Sequence, residues 1–551
     1  MQDPMNYSAA AWIRVLVAGI AAAAVLMVPT FAPLRDGLLG YYNDDWANGV
    51  YLHHQVHDAL LSGRFDLSDP NQFFPFGYNP VHSNGGNILE MLVSGAIRLI
   101  APWPLWLSLA AAAWIPLNVM AFVPLGRRLW QHESTVVAAA VTWALFPPAL
   151  HQLTAGRLTQ VALVGIPLAI AGMLDLSERS GRRGVGLTAV GLALSGLGYW
   201  FNALFLAILA PLFLVHAVGK KRLRVLIDLV IAGALALLLV SPLLLVVFWP
   251  ALTGGQMPGT HIQPDMMPIA FPDALQLMGG QKPGLADWMP WAALAGIVAS
   301  VATRGPRWWL WMGLGAACVV FSLGPGQQIG QDTWRMPYWV FWRGIPGLAR
   351  MFHPDRWMLL GGLFMAILAV GGAAAVHRRL AWLIPIGVVA QLGLRDRIPL
   401  EAWTPSVPDH WAALAEIEGD EAVIVLPLHA AQLAGQYQWV HGRPLWGGMV
   451  EDQPWTHPKA WTAYERDSPF LSGLRALSYG RQTAVKLSAE EQAALVSDGF
   501  GWVVLDESAW AARGLRGKVD PRPALQSVLG EPVHASKGGT IWRISRVEVA
   551  H

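Results

Sequence analysis

From Arg179 to Arg224 the chain reads RSGRRGVGLTAVGLALSGLGYWFNALFLAILAPLFLVHAVGKKRLR, and residues 184–218 within it hold no Asp, Glu, Lys or Arg. An apolar helix crosses a bilayer in about 20 residues. This tract is therefore too long for one crossing and suits two, 184–200 and 201–218. Basic clusters close it at both ends, Arg179/Arg182/Arg183 and Lys220/Lys221/Arg222/Arg224. Short loops rich in Lys and Arg stay on the cytoplasmic side, which places both ends inside and Gly198-Tyr199-Trp200-Phe201 outside.

The same reading extends in both directions. Apolar runs at 11–33, 105–125, 135–151, 158–176, 225–250, 289–303, 308–323, 357–376 and 380–394 bring the expected spans to about eleven. The run 87–102 carries Glu90 and Arg98 and ends at Pro102, and is read as a helix lying on the membrane. With that choice every alternate loop is basic, adding Arg127–Arg128, Arg304/Arg307 and Arg378–Arg379 to the two clusters above. The N-terminus is then cytoplasmic, and the first run, without a strongly basic leader, is a retained helix. Loops 34–104, 251–288 and 324–356, with everything after residue 395, face the periplasm of a bacterial inner membrane.

Composition agrees. Hydrophobic residues make up 54% and charged residues 13%, about half the charged share of soluble domains. The mean hydropathy is +0.40. Of the 28 Trp, many close apolar runs (Trp103, Trp106, Trp249, Trp288, Trp308, Trp309), where an interfacial belt needs them. A net charge of +2 argues against a nucleic-acid partner, and a single cysteine, Cys318, excludes an internal disulfide. After Arg395 the character changes. Strand-like runs Ala422–Leu426 and Trp502–Leu505 alternate with helical stretches 409–418 and 488–497, the latter opening Ser488-Ala-Glu-Glu like a capping box. The expected fold is an α-helical polytopic membrane domain over 1–395, followed by a periplasmic α/β domain over 396–551.

Three segments carry candidate chemistry. In the first loop, Asp44 and Asp45 open a helical stretch: either acid serves as a helix cap or as a general base beside a cleft. His53, His54 and His57 with Asp58 have helical spacing, but no further ligand completes a metal site. Arg157, near His151, is either a phosphate ligand or an interfacial anchor. In the third loop, Arg343, Arg350, His353 and Arg356 crowd the start of the last long span. An arginine cluster on the outer side runs against the charge bias, and arginine forks phosphate. The chain has no P-loop, no Gly-rich dinucleotide turn, no nucleophile elbow and no acid relay across its spans, which disfavours an ATP-driven pump, a Rossmann enzyme and a secondary transporter.

These segments resemble the membrane glycosyltransferases of the GT-C superfamily, in a bacterial branch that uses polyprenyl-phosphate sugars. The likeness rests on Asp45, Leu61-Ser-Gly63, Phe73-Phe74-Pro75-Phe76-Gly77, Leu125-Gly-Arg127-Arg128, Phe146-Pro147-Pro148, Gly198-Tyr-Trp-Phe201, Leu323-Gly-Pro325 and Pro346-Gly347 through Arg350 to Arg356. It covers most of 11–376. Asn84 stands where relatives often carry a second acid, with Glu90 the nearby substitute. The resemblance implies an inverting hexosyl or pentosyl transfer to a glycan, lipid or protein acceptor outside the membrane. Asp45, or Asp44 in the neighbouring register, is then catalytic. Arg350, Arg356, Arg157 and His353 would hold the donor phosphate, and Trp46, His54 and Glu90 would line the site. No cofactor is specified and no metal ligands are assigned, with a divalent ion left open. The rival classes are a non-catalytic envelope-assembly protein and a lipid or polysaccharide transporter.

Overall fold

A computed structural model of the chain describes residues 8–41, 44–64, 68–79, 87–179, 181–217, 221–252, 289–305, 307–329, 332–345, 348, 351, 353–395, 397–429, 434–448, 457–512 and 519–544. The chain divides into two compact units. One holds Met1–Tyr41, Gly86–Leu245 and Gly259–Thr404, and the other holds Tyr42–Gly85, Val246–Pro258 and Pro405–His551.

The first unit is helical. Among the described residues, six helices are long and apolar enough to cross a membrane: Ala9–Met27, Leu105–Leu129, Leu158–Glu178, Arg182–His216, Arg222–Leu245 and Pro354–Val376. A seventh crossing follows if Glu133–Ala144 and Pro147–Thr154, bent by 44°, count as one span. The bend falls at Phe146-Pro147-Pro148. A residue before proline is pushed to extended backbone, and Phe146 takes φ −66°, ψ 137°. About eleven spans were expected. The difference arises partly because Trp291–Thr303 and Trp308–Ser322, of 13 and 15 residues, are short for a hydrocarbon layer of about 30 Å at about 1.5 Å per residue. The 87–102 run forms a ten-residue helix, Leu89–Arg98, which is too short to cross.

The quoted tract is one helix by hydrogen bonding but not by direction. Tyr199 takes non-helical φ −154°, ψ 103° in its middle. Val185 and Leu214, near its two ends, pack in one cluster with Leu176, Ala217 and Val225. The chain therefore doubles back at Tyr199, and the arms correspond to the two runs read from sequence. Small residues bring the first arm against Leu158–Glu178. A Cβ added at Gly172 would meet Thr188 N at 2.4 Å, and one at Gly191 would meet Ala169 N at 2.2 Å, the close approach through which helices associate in lipid. The basic ends gather at one end of this unit: Arg128 pairs with Asp175, Arg307 with Glu178, and His216 lies 3.7 Å from Glu178.

The second unit is built on a four-stranded sheet. Ala422–Leu426 runs parallel to Phe500–Asp506, followed by antiparallel Gly539–Arg543 and His534–Ala535. The first two strands are buried along their whole length, as near-continuous apolar runs require. Helices Asp409–Glu416 and Ala489–Ser497 stand where expected. Ser488 accepts the Glu491 N–H at 3.2 Å. Glu491 forms no reciprocal half of a capping box, because its carboxylate accepts the Phe470 N–H at 2.7 Å instead.

Sequence reading drew the domain boundary at residue 395, yet Tyr42–Gly85 groups with the tail. The physical reason is hydrogen bonding and aromatic burial. Phe73 N–H donates to Gly447 O, Leu445 N–H to Asn71 O and Phe74 N–H to Leu445 O, at 2.7–3.0 Å. Phe73 is fully buried against Tyr78, His457 and Trp461, and burying such a ring stabilises by about 1.5–3 kcal/mol. Phe74 meets Phe500 of the sheet edge-on. Helix Asp44–Leu61 buries Trp46, Ala47, Val50 and Val56, and His54 stacks on Trp439 at 5.7 Å.

Asp69 sits beside this insertion, 3% exposed. Its Oδ1 accepts the Asn71 N–H at 2.9 Å, and its buried Oδ2 has no partner among the described residues. Burial pushes its carboxyl up to about 6. A raised folded pKa means the stability is present at low pH and is lost as pH rises through about 6. At about 1.4 kcal/mol per unit, the loss approaches 3 kcal/mol. The apparent melting temperature of the detergent-solubilised protein should therefore fall between about pH 4 and 6, and Asp69→Asn should flatten that fall. An unchanged slope in the variant would dismiss Asp69 as its source.

Candidate functional site

The end of the first unit opposite its basic end collects the polar side chains that packing alone does not explain. It is organised by the break at Tyr199. Reversing a helix there frees backbone groups, which in an apolar setting must find other partners. One neighbouring segment supplies both: Ile88 N–H donates to Leu197 O at 3.0 Å, and Asn87 Oδ1 accepts the Trp200 N–H at 3.3 Å. Gly198 lets the tip lie against Ala162, whose carbonyl oxygen would be 2.8 Å from an added Cβ.

Facing the tip is the start of Trp357–Val376, preceded by the turn Pro354–Arg356. Trp357 is fully buried. It stacks on Phe205 of the second arm at 3.9 Å and packs against Phe321 and Tyr338. This anchor sets Arg356 beside Tyr199. Arg356 Nη1 donates to the Tyr199 hydroxyl, and the guanidinium carbon lies 5.3 Å from the ring centroid. Arg356 Nε is buried without a partner among the described residues.

Two more predicted ligands join it. The charges of Arg356 and Arg157 and the His151 ring act on His353. Burial first, and then these neighbours, push the His353 imidazole down to about 3, so it is neutral at pH 7. Burial is the larger cause even though 44% of the side chain remains open to solvent, and the neighbouring positive charges add to it. Asp355 Oδ1 lies 3.7 Å from His353 Nδ1. Arg157 also donates to Gln152 Oε1 at 3.2 Å. The arrangement presents guanidinium groups at the end of the apolar helices opposite the basic clusters, which suits a phosphate more than a neutral sugar.

Among solved structures, the chain is similar to the arabinofuranosyltransferase AftD from mycobacteria over 96% of its own length, at 14% identity and a TM-score of 0.55. The chain therefore shares the fold of this GT-C glycosyltransferase. It spans 41% of the AftD chain. A second structure, ArnT from Cupriavidus metallidurans bound to undecaprenyl phosphate, matches over 98% of this chain and 99% of its own, at 13% identity and a TM-score of 0.40. No protein-family model matches the sequence, and none of the curated proteins does.

Within this fold, Arg157, His353 and Arg356 come together, and Glu90 lies buried, 2% exposed, on Leu89–Arg98 of the same unit. Asp45, Trp46 and His54 belong to helix Asp44–Leu61 of the other unit. Asp45 is exposed, while Trp46 beside it is 1% exposed and packed inward. Asp44 begins the helix, and Arg350 lies outside the described residues. His53 and His57 meet edge to face, with centroids 5.7 Å apart. Among the described residues no group of three or more His, Cys, Asp or Glu has the geometry to hold a metal ion. Sequence reading assigned no role to Tyr199, Asn87 or Asp355. The signal for Tyr199 was there: a polar aromatic residue at a junction with no loop between two apolar spans.

Proposed function

We propose that the protein moves a sugar from a polyprenyl-phosphate donor to a cell-envelope acceptor on the periplasmic side of a bacterial inner membrane. The observation that carries this reading is the buried Nε of Arg356, unpartnered among the described residues, at the helix ends opposite the basic clusters. An unmet buried donor on a cation costs free energy unless an anion meets it, and a lipid-linked phosphate can reach that depth by diffusing laterally between helices. His353, neutral at pH 7, adds a hydrogen-bonding group without adding a further positive charge to those of Arg356 and Arg157.

In the proposed step an acceptor hydroxyl oxygen attacks the anomeric carbon while the bond from that carbon to the phosphate oxygen breaks. Asp45 takes the hydroxyl proton, and the departing phosphate keeps the bonding electron pair. Charge therefore grows on the phosphate in the transition state, where Arg356 and Arg157 stabilise it more strongly than in the ground state. Attack opposite the leaving group inverts the anomeric centre. No nucleotide site is required.

The test is to incubate the purified protein in lipid nanodiscs with pentosyl and hexosyl polyprenyl phosphates and an envelope extract, following donor loss and polyprenyl phosphate release. Turnover of one donor class supports the reading, and inertness toward all of them rejects it. A C-terminal alkaline phosphatase fusion should be active in cells, in keeping with a periplasmic tail.

A further inference from the structure

We propose that Tyr199 is a positioning residue: it occupies one corner of the Arg356 guanidinium so that the opposite edge is preset for the donor phosphate. The inference rests on the phosphate-binding reading of Arg356 and deepens it. A guanidinium carries its donors in a rigid fork. Its Nε and Nη2 hydrogens lie parallel on one edge, the edge with which Arg14 grips Glu133 in this same protein, at 2.7 Å and 2.7 Å. In Arg356 the Tyr199 hydroxyl takes Nη1, at the other corner. Among the described residues neither Nε nor Nη2 has a hydrogen-bond partner, and Nε is buried. The edge suited to two phosphate oxygens is thus the edge left without a partner among the described residues.

The hydroxyl stands there because the helix is broken. In a continuous helix residue 199 would project along the helix face; the extended φ −154°, ψ 103° of Tyr199 turns it out at the hairpin tip. The break is held by Asn87 Oδ1 on Trp200 N–H and by Ile88 N–H on Leu197 O. The Phe205–Trp357 stack at 3.9 Å fixes the second arm against the helix that carries Arg356. A long, rotamer-rich side chain is thereby ordered before the ligand arrives, so less ordering remains to be done on binding.

The test measures binding of undecaprenyl phosphate to the full chain in lipid nanodiscs by native mass spectrometry, with thermal stability read in parallel. Four proteins are compared: the unaltered chain, Tyr199→Phe, Arg356→Ala and the double variant. Loss of the ordering of one rotamer-rich side chain predicts about tenfold weaker binding for Tyr199→Phe, with at most a small change in melting temperature. In the Arg356→Ala background the same change should have no further effect, because residues acting through one contact are non-additive. If Arg356→Ala weakens binding and Tyr199→Phe does not, the positioning role is overturned while the phosphate reading stands. Additive losses, or a Tyr199→Phe effect confined to melting temperature, would assign the tyrosine to hairpin packing and likewise overturn it. Undiminished binding by Arg356→Ala removes the phosphate reading and this inference together.

Discussion

Asp45→Asn should lose about 10²–10⁴-fold in turnover, the contribution of a positioned general base, while the protein folds and binds donor normally. The substitution separates two roles open to an acid at the start of helix Asp44–Leu61. Asn caps helices about as well as Asp, and a first-turn carboxylate contributes only about 0.3–1 kcal/mol through the helix dipole. A cap role therefore predicts near-normal activity, and a base role predicts near-complete loss. Because Asp45 is exposed, the change leaves no cavity. Activity assays on both single variants, with donor binding as the folding control, decide the matter. Loss in Asp44→Asn alone would shift the assignment by one residue, and normal turnover in both would end the role given to this helix.

Arg356→Ala should weaken donor binding by about 10–100-fold, since hydrogen bonds to a charged partner contribute about 1.5–3 kcal/mol and each 1.4 kcal/mol is about tenfold. Arg356→Lys should not restore it, because an ammonium is a point charge without the planar fork. The alternative role, an arginine anchoring its helix at the headgroups, predicts a lower melting temperature with donor affinity intact, and Lys would serve that role. The pair of substitutions thus separates phosphate recognition from anchoring by direction as well as size. In the free protein the His353 imidazole is neutral between pH 5 and 8, held there by burial and by the charges of Arg356 and Arg157.

Much of the first unit was legible because a bilayer imposes a one-dimensional rule. Apolar length and loop charge are properties of contiguous sequence, so 105–125, 158–176, 184–218 and 357–376 could be read directly. The short helices at 291–303 and 308–322 were harder, since hydropathy reports apolar content and not where hydrogen bonding stops. In the tail, Ala422–Leu426 and Phe500–Asp506 announced themselves as buried strands through their β-branched runs. The pairing of Asn71–Phe74 with Leu445–Gly447 did not. It joins segments more than 370 residues apart through backbone groups that every sequence possesses.

The sequence alone determined an apolar chain with several helices long enough to cross a membrane, arginine clusters between its apolar runs, and buried strands near its C-terminal end, because each follows from local composition and spacing. Only the tertiary structure decided which of those arginines meets which partner. It turned a 35-residue helix back at Tyr199, placed that hydroxyl on Arg356, and carried the first-loop acids into the unit built by the tail. Such outcomes depend on where freed backbone groups and buried cations find partners, and those partners lie far away along the chain.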